Sequence, residues 1–449
     1  MADMNVQDWL RDHPDVESVT FALCDINGVM RGKRLPASQI EKALNGGLRM
    51  PISACTLDIW GRDIKDSELV FESGDADGIC QITERGILPR KWTTPPSAML
   101  QMTLLTENGA PVVSDPRHAL ASMVERYAAC GLTPVVATEL EFYLTVKAGD
   151  VPDPATLPGA VVPVSMENVL SVSELDAQSL FFDEVYSACK EQGIPADAAI
   201  SETGAGQFEI NLLHRADALQ AADDAVLFKN LVRGVAQQHG YTATFMAKPF
   251  GDQSGSGMHV HFSVLGPTGN NIFDDGTDEG SDVLKHAIGG LLEAMQDSML
   301  IFAPHQNSYR RLRTGSHAPT QVAWGYENRT CAIRIPAGDP KARRIEHRVA
   351  GADANPYLVL TAILGAALLG IEAGLSPVPP VSGNVYEGPS AILPTSWPSA
   401  ISAFETSTYM GRIFDPQMQR LFSQVKHQEL DRFLSIVPIA EYQAYLEIV

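Results

Sequence analysis

Four stretches of the chain alternate apolar and polar residues with period two, the spacing of strands whose successive side chains point to opposite faces. In ATELEFYL, Glu139, Glu141 and Tyr143 oppose Leu140, Phe142 and Leu144; in GQFEINLL, Gln207, Glu209 and Asn211 oppose Phe208, Ile210 and Leu212. In GSGMHVHFSV, His259, His261 and Ser263 oppose Met258, Val260, Phe262 and Val264; in RRIEHRVA, Arg344, Glu346 and Arg348 oppose Ile345, His347 and Val349. An exposed antiparallel sheet alternates too, but its solvent face carries Lys, Thr and Ser. These faces carry Glu, His, Gln and Arg.

The rest of the pattern predicts a short helix over about 5–12 and then two strand-like runs in VESVTFALCDINGVMRGKRLP. They are joined at Asn27-Gly28, a hairpin signal. Short strands and turns continue to about residue 106, and the Gly/Pro-rich TENGAPVVSDPR marks a boundary between units 1–110 and 111–449. Asp115 and Pro116 start a helix that stops at Gly131. Strands and helices then alternate, with an amphipathic helix near 281–302 and apolar helices near 355–373 and 427–448. The proline-rich 374–400 reads as an ordered loop because helical sequence resumes after it. No internal repeat is visible.

Charge narrows the partners. The 449 residues carry 33 Lys plus Arg against 54 Asp plus Glu, a net −21 that repels nucleic acid and anionic membranes. Arginine nevertheless concentrates at 310–313 and 343–348, as expected where anions are held. The six cysteines have no CxxC and no zinc spacing, the usage of a reducing compartment. The N-terminus lacks a basic stretch followed by an apolar one, and no apolar run of about 18 residues is apparent. A cytoplasmic protein is expected.

Carboxylates with imidazoles suit Mg²⁺ or Mn²⁺, and acids converging on one cavity need such cations to offset their repulsion. Arginines joining them point to phosphoryl chemistry. Neither a Walker GxxxxGK[ST] nor a strand-following Rossmann GxGxxG is present, so the phosphate cradle is of neither common kind. In YRRLRTGSHAP a single imidazole, His317, follows three arginines: it is either a loop bystander or a neutral base beside an anion that they hold.

The ordered set ELE (139–141), SETGAGQFE (201–209), GSGMHVH (255–261), NRTCAIRIP (328–336) and KARRIEHR (341–348) resembles the bacterial type I glutamine synthetase family. DINGVMRGKRLP is similar to that family's N-terminal β-grasp domain. The resemblance implies an α+β fold: a β-grasp domain over 1–110 and a catalytic domain over 111–449, an antiparallel sheet flanked by helices. It further implies a dodecamer of two hexameric rings with active sites between subunits. Carried over by position, Glu141, Glu202 and Glu209 would bind one divalent metal, and Glu139, His259 and Glu346 a second. His261, Ser263, Arg334, Lys341 and Arg344 would contact ATP. Gly255, Arg311 and Arg348 would hold L-glutamate, and Arg329 would meet the γ-phosphate and the developing acyl phosphate. The implied reaction is attack of the glutamate γ-carboxylate on ATP, then displacement of phosphate by an amine.

Three positions depart from the ammonia-using pattern. His317 stands where those enzymes carry a glutamate that deprotonates ammonium. Pro51-Ile52-Ser53-Ala54 stands where they carry Asp-Gly-Ser-Ser, and Ser254 replaces an Asn. Ammonium needs negative charge to leave water and a base to take its proton, and an imidazole supplies only the base. The expected nucleophile is therefore a primary amine: a polyamine such as putrescine or spermidine, or a monoamine such as methylamine or ethanolamine, in amine catabolism and nitrogen utilisation. Asp58 and Asp63 are candidates for reading a remote ammonium, with loop capping as the alternative. Trp60 could stack on a cation or simply pack. An ammonia-using enzyme and a catalytically silent homologue are the competing readings.

Overall fold

The computed structural model describes residues 6–65, 67–72, 74–147, 151–155 and 168–449. After a helix Val6–Asp12, five strands form the first sheet: β1 (Ser18–Cys24), β2 (Met30–Pro36), β3 (Arg49–Pro51), β4 (Asp77–Arg90) and β5 (Ser97–Leu105). Their order is β2-β1-β5-β4-β3, with β1 and β5 parallel and the other pairs antiparallel. The expected β1–β2 hairpin forms for a local reason. Asp25 Oδ1 accepts from the amides of Asn27 and Val29, each at 2.9 Å, and Gly28 takes the φ of 78° that a side chain would resist.

The second sheet has nine strands: β6 (Thr133–Val146), β7 (Asp153–Pro154), β8 (Ala196–Ser201), β9 (Gln207–Arg215), β10 (Thr242–Thr244), β11 (Met258–Leu265), β12 (Trp324–Tyr326), β13 (Ile333–Ile335) and β14 (Ile345–His347). Seven run in the order β12-β13-β14-β11-β6-β9-β8, and β7 and β10 pair with one end of β6. The pairs are antiparallel except β12–β13, which is parallel, so the expected antiparallel sheet has one mixed edge. The apolar face of each alternating segment is buried: Leu140, Phe142, Phe208, Ile210, Val260 and Phe262 are each at most 2% exposed. They pack on helices Ala218–Gln238 and Pro356–Ala373. The latter, expected as an apolar helix, has a mean hydropathy of 1.8 over 18 residues and so corrects the reading that no apolar run of that length is present; 83% of it is buried inside the protein.

Helix ends follow their caps. Asp115 caps Pro116–Ala129, Asn355 caps Pro356–Ala373, and Gly374 closes the latter in the left-handed region. Two expected helices are divided. The 281–302 segment splits into Asp282–Ala294 and Met299–Phe302, where the Ser298 hydroxyl donates to the Ala294 carbonyl at 2.8 Å. The 427–448 segment belongs to a helix that starts at Pro416, capped by Asp415, and ends at Leu434; a shorter helix, Ile439–Tyr445, follows Pro438. The proline-rich loop is ordered as expected: Val381 donates to Trp324 O at 2.8 Å, and Trp324 Nε1 donates to Val378 O at 2.6 Å.

The two sheets are joined by buried polar groups. Gln101 on β5 donates to Asp223 at 3.0 Å and meets the Tyr357 hydroxyl at 2.6 Å. Asn27 donates to Glu429 at 3.0 Å, and the Lys426 ammonium donates to the same carboxylate at 3.0 Å. Lys426 and Glu429 are fully buried.

Candidate active site

Strand register assembles the site. Across the central strands β9, β6 and β11, Glu141 is paired with Glu209, while Glu139 lies between Asn211 and His259. One step outward, His261 on β11 is opposite Glu346 on β14, which is opposite Arg334 on β13. A single register thus puts four acids, two imidazoles and a guanidinium on one face, drawn from segments up to about 200 residues apart. All of them except the buried Glu346 border a cavity of about 700 Å³ that Glu202, Gly255, Arg311, His317, Arg329, Arg344 and Arg348 also line.

The groups are already wired together. Glu139 Oε1 is 2.9 Å from His261 Nε2, and its Oε2 is 3.2 Å from His259 Nδ1. Glu141 accepts from the Gly257 amide at 2.8 Å. Arg334 donates to Glu346 at 2.8 Å, Arg348 holds the other oxygen of that carboxylate, and Arg344 Nε donates to His261 Nδ1 at 3.2 Å. Arg311 is buried and donates to the Val349 carbonyl at 2.8 Å. Gln207 fixes Gly255 by donating to its carbonyl at 3.0 Å.

The acids divide by environment. Burial raises Glu202 to about 7 with help from Glu141, and burial with the charge of Glu139 pushes Glu209 well up. Burial also disfavours charge on Glu139 and Glu346. There the two imidazoles pull Glu139 down, and Arg348 pulls Glu346 down to about 2. A divalent cation suits this mixture, because it relieves the carboxylate repulsion that Arg329 at Glu202 and Arg348 at Glu209 only partly offset. The donors converge accordingly. One set is Glu139, Glu209 and His259, another is Glu139, His261 and Glu346, and within each the ligand atoms lie within 4.8 Å of one another. The second set includes His261, which the resemblance assigned to ATP.

Around this floor the loops carry the remaining groups. Arg329 is exposed, and its loop is anchored where Asn328 donates to the carbonyls of Val381 and Gly383 at 3.1 and 2.9 Å. His317 is exposed at the cavity wall with φ 58°, in the left-handed region. Of the three arginines before it, Arg311 enters this cavity, Arg310 lines a different one and Arg313 lies at the surface.

Among the expected contacts, Ser263 and Lys341 do not line the cavity; Ser263 is half-buried further along β11 and Lys341 is exposed beside Asp339. Neither Asp58 nor Asp63 lines it either. Asp58 is buried and accepts from the amides of Trp60 and Arg62 and from Gln428, which is the loop-capping alternative. Trp60 packs against the protein's own side chains, with the Arg432 guanidinium 4.0 Å above its ring and Phe433 at 5.2 Å. Val169, Leu170 and Ile200 form an apolar border of the cavity that sequence reasoning missed. Apolar residues in a loop and at a strand end look the same in sequence as core residues.

The model of the glutamine synthetase catalytic domain matches residues 113–445. The γ-glutamylputrescine synthetase of Escherichia coli strain K12 is 36% identical over 98% of this chain and 94% of its own. The glutamate–isopropylamine ligase of a Pseudomonas species is 32% identical over 99% and 98%. A solved structure of a GmaS/ADP complex superposes with a TM-score of 0.85 at 27% identity, covering 99% of both chains.

Proposed function

The chain belongs to the glutamine synthetase family, and from that membership we propose that it is an ATP-dependent ligase joining the γ-carboxylate of L-glutamate to a primary amine. The observation that carries the choice of amine over ammonia is position 317, where the cavity wall presents an imidazole and no carboxylate. Ammonium is a small, strongly hydrated cation, and taking it out of water requires fixed negative charge close by. An organic amine brings carbon surface to bury, and Val169, Leu170 and Ile200 offer apolar surface in the same cavity. Relatives named for putrescine and isopropylamine support the same class.

Glu141, Glu202 and Glu209 would hold one Mg²⁺ or Mn²⁺, and Glu139, His259 and Glu346 another, with His261 close enough to share the second. Such ions, when bound, neutralise phosphate oxygens during transfer. Arg334 and Arg344 flank the ATP phosphates; Ser263 and Lys341 would contact the nucleotide further out. Arg311, Arg348 and the Gly255 backbone orient glutamate so that its γ-carboxylate reaches the terminal phosphate of ATP. Arg329 stabilises the charge that develops on the phosphoryl group and then on the acyl phosphate. The His317 imidazole takes the proton from the incoming amine as it displaces phosphate, leaving a γ-glutamyl amide, ADP and phosphate.

We read residues 1–110 as a β-grasp domain, on the strength of the parallel β1–β5 pair inside a mixed sheet, and residues 111–449 as the catalytic domain. A ring-forming homo-oligomer, a dodecamer with sites shared between subunits, is consistent with the exposed apolar residues at the C-terminus. A cytoplasmic role in amine catabolism and nitrogen utilisation fits these proposed substrates.

The test is isotopic. Glutamate labelled with ¹⁸O in its γ-carboxylate, incubated with ATP, Mg²⁺ and putrescine or isopropylamine, should yield phosphate carrying one ¹⁸O and a γ-glutamyl amide of the expected mass. Unlabelled phosphate would rule out the acyl phosphate. Glutamine as the sole amide in mixtures that also contain ammonium would rule out the amine assignment.

A further inference from the structure

A second cavity of about 750 Å³ shares none of the reactive cavity's lining residues. It lies where the β1–β2 turn, the Ala218–Gln238 helix and the 305–310 turn meet. Its size is that of a small-molecule site.

Its chemistry is that of an amphipathic anion. Lys229, Arg233 and Arg310 face it against one acid, Asp353. Lys229 is buried with its ammonium 2.8 Å from the Ala354 carbonyl, and burial together with Arg233 lowers it to about 7. The remaining wall is largely apolar, with Met30, Phe245 and Phe433 in it. Two buried acceptors at the cavity, Asn230 Oδ1 and Asp353 Oδ1, have no hydrogen-bond partner among the described residues. Unpaired buried acceptors are costly, and a ligand hydroxyl or amide would satisfy them.

We propose that this cavity binds a small carboxylate bearing an apolar body and a hydrogen-bond donor, and that its occupancy tightens glutamate binding in the reactive cavity. The coupling runs through one turn of chain. Arg310 faces the second cavity and its neighbour Arg311 the first. Ser308 donates to Asp353 Oδ2 at 2.7 Å. Asn307 brackets Lys248, accepting from its amide and donating to its carbonyl, each at 2.9 Å, and the adjacent Ala247 carbonyl holds the Ser256 amide next to Gly255 at 2.9 Å. A ligand that fixes this turn removes conformational freedom that glutamate would otherwise have to quench. This coupling rests on reading Arg311 and Gly255 as glutamate anchors; the binding does not.

The probe is 3-phenyllactate, with the neutral 3-phenyl-1,2-propanediol as its control, titrated calorimetrically into the full-length protein with Mg²⁺ and saturating glutamate. Saturable binding of the acid is expected, at least tenfold weaker in Arg233→Glu and in Met30→Trp, which intrudes on the cavity, and weaker by as much for the diol. Initial rates of amide synthesis should show at least a twofold lower KM for glutamate when the acid is present, an effect absent from both variants. Lack of saturable binding, binding that both variants retain, or a diol that binds equally would overturn the site. Binding with an unchanged KM would overturn the coupling, whereas absence of amide synthesis with every amine would count against the ligase reading and leave the calorimetry intact.

Discussion

His317 occupies a left-handed backbone conformation in an exposed loop, a position that costs a non-glycine residue roughly 1 kcal/mol. His317→Asn keeps a residue that tolerates this conformation and removes the base. Amide synthesis from a primary amine should fall about 10²- to 10⁴-fold, the usual range for general-base removal, while acyl-phosphate formation trapped with hydroxylamine falls far less. Equal losses would make the residue structural. The acids give a second expectation. Glu202 is raised to about 7 and Glu209 well above the ordinary 4.5, so both bind protons more readily folded than unfolded. Their contribution to the stability of the metal-free protein should therefore rise as pH falls from 8 to 6, a component of the pH slope in thermal melts that Glu202→Gln with Glu209→Gln removes and that saturating Mg²⁺ flattens or reverses. Glu346, pulled down to about 2, does not titrate in this window. The floor of the site was legible because alternation assigns faces and antiparallel pairing preserves them. Val169, Leu170 and Ile200 were not legible, since nothing local distinguishes an apolar cavity wall from core.

At the scale of elements, the sequence located strands and caps better than it located breaks. Asp115, Asn355 and the Asn27-Gly28 turn announce themselves through side-chain hydrogen bonds or backbone freedom that depend only on neighbours. The breaks at Ser298 and Pro438 fall inside apolar patterns that look continuous, and β14 is only three residues long, with Arg344 and Arg348 on either side of it lining the cavity. The helix Pro416–Leu434 also has a role invisible in its periodicity: Glu429 accepts from Asn27, Lys426 and the Ile59 amide, tying the first sheet to the second. Glu429→Ala leaves the buried Lys426 ammonium with Asn27 as its one remaining hydrogen-bond partner among the described residues. It should destabilise the protein by about 3–5 kcal/mol in denaturant melts. A change under about 1 kcal/mol would mean that this network contributes little to joining the sheets.

For the whole molecule, an acidic surface and a deep polar cavity direct the protein to small substrates, while its C-terminus points to assembly. Ile436, Val437, Ile439, Tyr442, Tyr445, Leu446 and Ile448 are each more than half exposed, an apolar series that a lone chain leaves in water. Truncation after Ser435 should reduce the particle mass seen by sedimentation while the far-ultraviolet spectrum stays folded; an unchanged mass would place the assembly contacts elsewhere. The central claim is that an organic amine, not ammonia, is the second substrate. It is tested most directly by kcat/KM from phosphate release at saturating glutamate and ATP, measured for ammonium, methylamine, ethanolamine, isopropylamine, putrescine and spermidine. At least one amine should exceed ammonium by about two orders of magnitude or more, and ammonium matching or exceeding every amine would contradict the account.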